Sequence, residues 1–261
     1  MKENMKKYNK KRELLIDGDI IIYKTALQEE QAIKWDENLW TLHAYEDKAI
    51  AAVDESIKKL QRDLLCKPYK IALTSPNNFR KDVMPSYKAN RKGVRKPMIL
   101  PVLRKHIMDN HKGIMWDGLE ADDVLGILAT TIDPYYDKDP IIVSIDKDFK
   151  QIPALICLDG DTINRITKPQ ADYWFMMQVL MGDPVDGYTG LPSVGIKTAE
   201  KILGDNKTIP LRTLWDKVVE AYEKKGYTEK EALQQARVAK ILRAEDYNKK
   251  KGEVKLWQIK R

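Results

Sequence analysis

The sequence predicts an α/β domain with a mainly parallel sheet, followed by a mostly helical region. Two observations carry that reading. Short apolar, β-branched runs alternate with stretches of helical spacing as far as residue 167, and beyond it strand signals fade until 254–258 (VKLWQ). Residues 13–22 read as a buried strand with Asp17 inside it. Residues 44–65 read as a helix with Ile50, Val53, Ile57, Leu60 and Leu64 on one face. Residues 69–74 (YKIALT) read as a second buried strand, 98–109 as a helix, and 120–132 as an apolar helix that opens on acids. Residues 141–145 (IIVSI) form a third strand. Later helices are expected over 172–181, over 197–203, and from Thr228, where Thr228 and Glu231 have the spacing of a capping box. The glycine- and proline-rich stretch 182–195 connects two of them.

Composition narrows the class. Charged residues make up 33% of the 261 and AVILMFWYC residues 43%, which excludes collagen-like, disulfide-framework and wholly disordered chains. No apolar run approaches the ~18 residues of a membrane span. Residues 14–22 follow a basic start as in a signal peptide, but Asp17 and Asp19 break the stretch. Cys66 and Cys157 read as free thiols of a reducing compartment, so a cytoplasmic location is expected. The net charge of +7 is unevenly spread: basic blocks at 1–12, 79–97 and 249–261 flank an acidic body. The termini fit solvated tails. The internal block interleaves Phe79 and Tyr87 with Arg80, Lys81, Lys88, Arg91 and Lys92. Cations neutralise phosphates and aromatic rings stack on bases, so nucleic-acid contact is expected there.

Four acidic clusters stand where α/β folds place functional groups. Asp17 lies in the first strand, where a carboxylate is costly unless paired or metal-bound. Glu120, Asp122 and Asp123 open a helix. Asp146 and Asp148 follow the IIVSI strand at its C-terminal end, the end at which parallel sheets bind ligands. Asp183 and Asp186 are three apart in the connector. Singly, each has an ordinary explanation as a helix-start acid or a turn former. Gathered by a sheet they would repel one another by about 4 kcal/mol per pair at 4 Å and an effective dielectric near 20. Hard divalent cations relieve that repulsion, and an all-oxygen set suits Mg²⁺ or Mn²⁺. Zn²⁺ fits poorly, because the two cysteines and His43, His106 and His111 show no ligand spacing. Two such ions beside a phosphodiester imply its hydrolysis.

Residues 182–200 (GDPVDGYTGLPSVGIKTAE) do not form a nucleotide-binding P-loop, since Ile196 separates Gly195 from Lys197 and no apolar strand precedes them. They fit two helices joined by a glycine turn. Gly190 and Gly195 allow close backbone approach, and a helix opening on Ile196, Lys197 and Thr198 presents N–H groups to a DNA phosphate.

Together these residues resemble the flap-endonuclease (5′-nuclease) superfamily. The segments are LLIDGD (14–19), FRKDVMPSYKANRKG (79–93), GLEADDVLG (118–126), SIDKDFKQIP (144–153) and GDPVDGYTGLPSVGIKTAEKIL (182–203). The 5′→3′ exonucleases of short-tailed phages are the subgroup most similar, through these blocks and QARVAKILRAEDYN (235–248). The resemblance implies a basic tail (1–12), a PIN-like nuclease domain (13–167) with a helical arch at 79–97, and a helix–turn–helix clamp with a helical C-terminal region (168–261). It implies that Asp17, Glu120 and Asp122 hold a first metal ion. Asp123, Asp146, Asp148, Asp183 and Asp186 would surround a second, directly or through water. It assigns Arg80, Tyr87, Lys88 and Arg91 to the arch, with Lys88 polarising the scissile phosphate and Arg91 holding the 5′ strand. It also implies K⁺ at the glycine turn, 5′ ends or flaps of duplex DNA and RNA–DNA hybrids as substrates, a monomer, and replisome partners. The family's further Asp after the second strand is replaced by Ser75, a weaker ligand. A non-catalytic DNA-junction binder is therefore the rival reading. A PIN-type ribonuclease is a third, disfavoured by the glycine turn and the long basic block.

Overall fold

The protein is described here by a computed structural model covering residues 12–131, 139–204 and 208–259. The expected basic tail, apart from Arg12, lies outside the described residues. Strand β1 (Leu14–Asp17) is buried throughout and ends sooner than expected. The Asp17 carboxylate accepts from the Ile20 N–H at 3.4 Å and caps helix α1 (Gly18–Glu29), so Ile20–Ile22 are helical rather than extended. A hairpin comes next, β2 (Gln31–Asp36) and β3 (Leu39–His43), antiparallel and almost wholly exposed. It went unpredicted because no buried face imposes an alternating pattern on it. Helix α2 (Glu46–Asp63) buries Ala49, Val53 and Ile57, as its spacing requires. Beyond it lie β4 (Tyr69–Ala72), the one-turn α3 (Arg80–Val83), α4 (Leu100–Asn110), α5 (Ala121–Thr130) and β5 (Ile141–Val143). A 3₁₀ turn (Lys147–Gln151) leads to β6 (Leu155–Cys157) and β7 (Ile163–Arg165), two short strands that the sequence pattern did not reveal.

The five-stranded sheet runs β4-β1-β5-β6-β7, parallel except for β7. Helices α1, α2 and α4 cover one face through Ile22, Val53, Ile57, Leu103 and Ile107. Helix α5 covers the other, with Val124 and Leu125 packed among Phe149, Ile152, Ile241 and Leu242. The helical region comprises α6 (Lys168–Met181), α7 (Ile196–Leu203), α8 (Leu211–Glu223) and α9 (Glu229–Ala239), around Met176, Leu180, Leu214, Trp215 and Val218. Thr228 and Glu231 form the capping box at the start of α9. After α9 the chain returns to the sheet, where the Leu242 N–H donates to Asp123 at 3.0 Å, and ends in a small ribbon, β8 (Tyr247–Asn248) and β9 (Glu253–Val254). No helix among the described residues is long and apolar enough to cross a membrane.

The arch expected over 79–97 is mostly loop. It holds α3 and a 3₁₀ turn at Ala89–Arg91. Met84 is extended because Pro85 follows it, which stops α3 after one turn. The segment docks on the 184–187 turn. Lys88 N–H donates to the Asp186 carbonyl at 2.7 Å, and the Asn90 amide to the Pro184 and Val185 carbonyls at 3.3 and 3.1 Å.

Candidate active site

Parallel strands put their C-terminal ends on one edge, and most of the predicted acids meet there. Asp17 ends β1. Ser144, just past β5, donates to its carboxylate at 3.0 Å and accepts from the Asp146 N–H at 3.1 Å. Asp146 in turn accepts from the Asp148 N–H at 2.8 Å, capping the 3₁₀ turn. Gln178 of α6 donates to Asp148 at 2.7 Å. Asp183 and Asp186 enter from the connector after α6, Asp183 bonding the Val185 N–H at 2.8 Å. The Tyr87 hydroxyl lies 2.7 Å from Glu120 and 3.2 Å from Asp186, joining the α5 acids to the connector. Lys88 is bonded to Glu120 and lies 3.4 Å from Asp186, and Arg91 pairs with Asp186.

The electrostatics of this edge divide in two. Burial works against Glu120, but Arg80 and Lys88 beside it hold it at about 2. At the other shifted acids of this edge proton affinity climbs, even where a cation reaches them. Burial, then Asp19 and Asp146 nearby, push Asp17 up to about 7. Burial, then Asp146 and Asp183, push Asp148 up to about 7. Asp122 is raised by burial and by Asp123 and Glu120. Asp186 is raised because burial outweighs Lys88 and Arg91. An edge lined with buried carboxylates that repel one another lacks positive charge. Its donors are all oxygen, so the chemistry of the site fits hard divalent cations.

Three expectations are corrected by this geometry. Asp123 does not face the cluster: it is fully buried, and its oxygens bond the Arg80 guanidinium at 2.6 and 2.8 Å and the N–H groups of Leu242 and Glu120. No lone pair is left for an ion. Arg80 is no DNA contact: it is 2% exposed, and it also donates to the Val238 and Lys240 carbonyls. Tyr87 is 3% exposed and cannot stack on a base; it positions Glu120 and Asp186 instead. Lys81, Arg91 and Lys92 are exposed, as cations that meet phosphate must be.

Ser75 faces away from the acids. Its hydroxyl donates to Asp117 at 3.2 Å and accepts from the Asn77 and Gly118 N–H groups. Asp19 lies close enough to raise Asp17, and its carboxylate is bonded by Arg104 at 3.0 Å and the Thr74 N–H at 2.8 Å. Sequence reasoning missed Ser144, Gln178 and Arg104. Ser144 was signalled only by its place between β5 and Asp146, and the other two by nothing local.

The glycine turn departs from α6 on the same connector. Gly182 and Gly190 lie back to back: a Cβ on either would sit 2.3 Å from the other's N. Both also have positive φ, so only glycine serves at these positions. Gly190 N–H donates to Gln235 of α9 at 2.9 Å. Gly195, Ile196, Lys197 and Thr198 are exposed, so the first N–H groups of α7 face solvent.

Residues 12–171 match the family profile described as 5′-3′ exonuclease, N-terminal resolvase-like domain. The chain is 31% identical to the exodeoxyribonuclease of Enterobacteria phage T3, over 94% of this chain and 92% of that one. It is equally similar to the exonuclease of Escherichia phage T7, over 94% and 93%. The flap endonuclease Xni of Vibrio campbellii is 32% identical over 56% of this chain and 61% of its own. Among solved structures, bacteriophage T5 5′-exonuclease with bound divalent metal ions (zinc) superposes with a TM-score of 0.51. It is 14% identical, and the match covers 88% of this chain and 98% of that one. The T5 flap endonuclease in a pseudo-enzyme–product complex with DNA and metal ions gives 0.50, over 87% and 99%, also at 14% identity. At such identities the superposition shows the fold, a PIN-like nuclease sheet. With the profile covering more than half its length and two relatives spanning nearly all of it, the chain belongs to the 5′-3′ exonuclease family of 5′-nucleases.

Proposed function

We propose that this 5′-nuclease is a divalent-metal-dependent 5′→3′ exonuclease of duplex DNA. In this reading it also cuts 5′ flaps and RNA–DNA hybrids, and serves primer removal, DNA breakdown and recombination in phage replication. The observation that carries the metal dependence is the pair Asp17 and Asp148, each pushed up to about 7 by burial and neighbouring acids. Asp17, Glu120, Asp122, Asp146, Asp148, Asp183 and Asp186 are the groups that would hold two ions, Mg²⁺ or Mn²⁺. Bound there, such ions supply a water of lowered pKa and neutralise charge on the leaving oxygen.

The chain's own residues do the rest. Lys88 is presented from the docked 86–91 turn, in a left-handed conformation (φ 54°) that aims its ammonium at Glu120 and Asp186. It would move onto the scissile phosphate when the acids receive other cations. Arg91, half exposed on the rim, would hold the 5′ strand. Tyr87 and Ser144 fix carboxylate directions. Lys81 and Lys92 would meet phosphates electrostatically. Gly190 shapes the turn, and the exposed start of α7, with Gly195, Lys197 and Thr198, would grip the downstream duplex, K⁺ at the turn's carbonyls assisting. Terminal nucleotides would unpair to reach the acids. The non-catalytic reading rested on Ser75 alone, and membership of a nuclease family favours the enzyme.

The test is digestion of linear duplex DNA labelled separately at each end, in Mg²⁺ and in EDTA. Early Mg²⁺-dependent release of the 5′ label as short products, with gradual shortening of the 3′-labelled strand, is expected. Tight binding without cleavage in Mg²⁺ and then Mn²⁺ would overturn the proposal.

A further inference from the structure

At the opposite end of the sheet the fold brings together three side chains that no catalytic role explains. Asp54 lies on α2, His106 on α4, and His111 just after it. His106 Nε2 and His111 Nε2 stand 2.7 and 2.8 Å from the same oxygen of Asp54 and 3.2 Å from each other. One ligand atom from each residue lies within 4.8 Å of the others. Both rings are nearly covered, while Asp54 keeps a third of its side chain open to solvent, which gives an ion a way in and a water a place to bind. The outer nitrogens are also held. His111 Nδ1 is 2.9 Å from the hydroxyl of Tyr69, the first residue of β4, and His106 Nδ1 is 3.1 Å from the Asn110 amide. A tyrosine hydroxyl accepts as well as it donates, and an amide can turn its oxygen round. Both partners can therefore receive an Nδ1 proton and leave Nε2 free as a ligand, the usual outer support of a metal-bound histidine.

We propose that Asp54, His106 and His111 form a Zn²⁺ site, separate from the carboxylate edge, with water as fourth ligand. Two imidazoles and one carboxylate with an open position is a standard zinc set, and it prefers Zn²⁺ to the Mg²⁺ or Mn²⁺ suited to the acids. Tetrahedral bonds of about 2.0 Å need ligand atoms about 3.3 Å apart. The two nitrogens nearly have that spacing, and a small turn of the Asp54 carboxylate supplies the rest. The ion would pin α2 to the end of α4, the helix whose Arg104 engages Asp19 beside the active site. The site stands whether or not the nuclease reading does, because it shares no residue with the acids.

The test uses the full chain, stripped with EDTA and titrated with Co²⁺ in excess Mg²⁺. Four-coordinate Co²⁺ with imidazole ligands absorbs strongly in the visible, whereas six oxygens give a weak band. One equivalent of the strong band is expected, displaced by Zn²⁺, retained in Asp146→Asn, and lost in His106→Gln and in His111→Gln. A band that survives both histidine variants, or no strong band at all, would overturn the site and leave an ion-free hydrogen-bonded triad. Should the variants fail to fold, zinc-edge X-ray absorption of the wild-type protein decides: two imidazoles with oxygen are expected, and a shell of oxygens alone would overturn the proposal.

Discussion

The two ends of the central sheet collect ionisable groups by different means. At the C-terminal edge, β1 and β5 and the connector after α6 each deliver a carboxylate, and the acids repel until Asp17 and Asp148 are pushed up to about 7. At the other end, two helices bring one carboxylate to two imidazoles, and all three are satisfied by hydrogen bonds. The first cluster is short of positive charge and suited to hard ions. The second is balanced as it stands and suited to a borderline-soft ion that can replace two protons. Frustration marks the one, and convergence of nitrogen ligands marks the other.

Several substitutions would break or sharpen this contrast. The largest effect is expected of Asp146→Asn, with cleavage falling at least about a thousandfold, ~4 kcal/mol of barrier, while duplex DNA binding stays nearly intact. Single-turnover cleavage beside gel retardation measures both, and cleavage at the wild-type rate would remove Asp146 from the ion-holding set. Arg80→Met tests a buried charge already balanced by protein. It leaves Asp123 unpaired among buried groups and should cost roughly 3–5 kcal/mol in urea unfolding; a loss below about 1 kcal/mol would mean that Arg80 is not the tie between α5 and the C-terminal return.

Asp17→Asn tests the frustration itself. A carboxyl whose folded pKa rises from 3.8 to about 7 favours the fold fully below its unfolded pKa. That contribution is lost as pH climbs through the window from about 4 to 7. In EDTA the melting temperature of the wild type should therefore fall across that window. The variant should melt higher at about pH 7.5, on the order of 5 °C, and should lose much of the stabilisation that Mg²⁺ gives. A variant that melts lower would show Asp17 to be satisfied without a cation. Ser75→Asp should have the smallest effect. A carboxylate there meets Asp117 rather than the acid edge, so calorimetry should find Mg²⁺ affinity unchanged and stability reduced by about 1–2 kcal/mol. Tighter Mg²⁺ binding would mean that residue 75 can turn towards the site after all.

Much of the chemistry was legible in the sequence. The end of the IIVSI strand is a local event, set by a short apolar run and by the acids that cap the next turn, so Asp146 and Asp148 could be placed at the ligand edge from pattern alone; Asp17 read as lying inside a longer strand, because the apolar Ile20–Ile22 that follow it are helical. The glycine turn was legible in part: Gly190 has the positive φ and close backbone contact that admit few residues, but it meets Gly182, while Gly195 is extended with open space around it. The features that stayed hidden depend on partners far away in sequence. Phe79, Arg80 and Tyr87 read as one basic-aromatic surface, yet Arg80 is buried by carbonyls about 160 residues later and Tyr87 by two acids from different elements. The histidines show no ligand spacing because the third member, Asp54, arrives from another helix. The sequence by itself determined which groups carry charge and where the buried helices and the IIVSI strand lie, since these depend on neighbours in the chain. Only the tertiary structure decided which charges are spent on each other and which are left for a ligand. Burial and pairing across the fold set the cost of ionisation, and neither is written in any one segment.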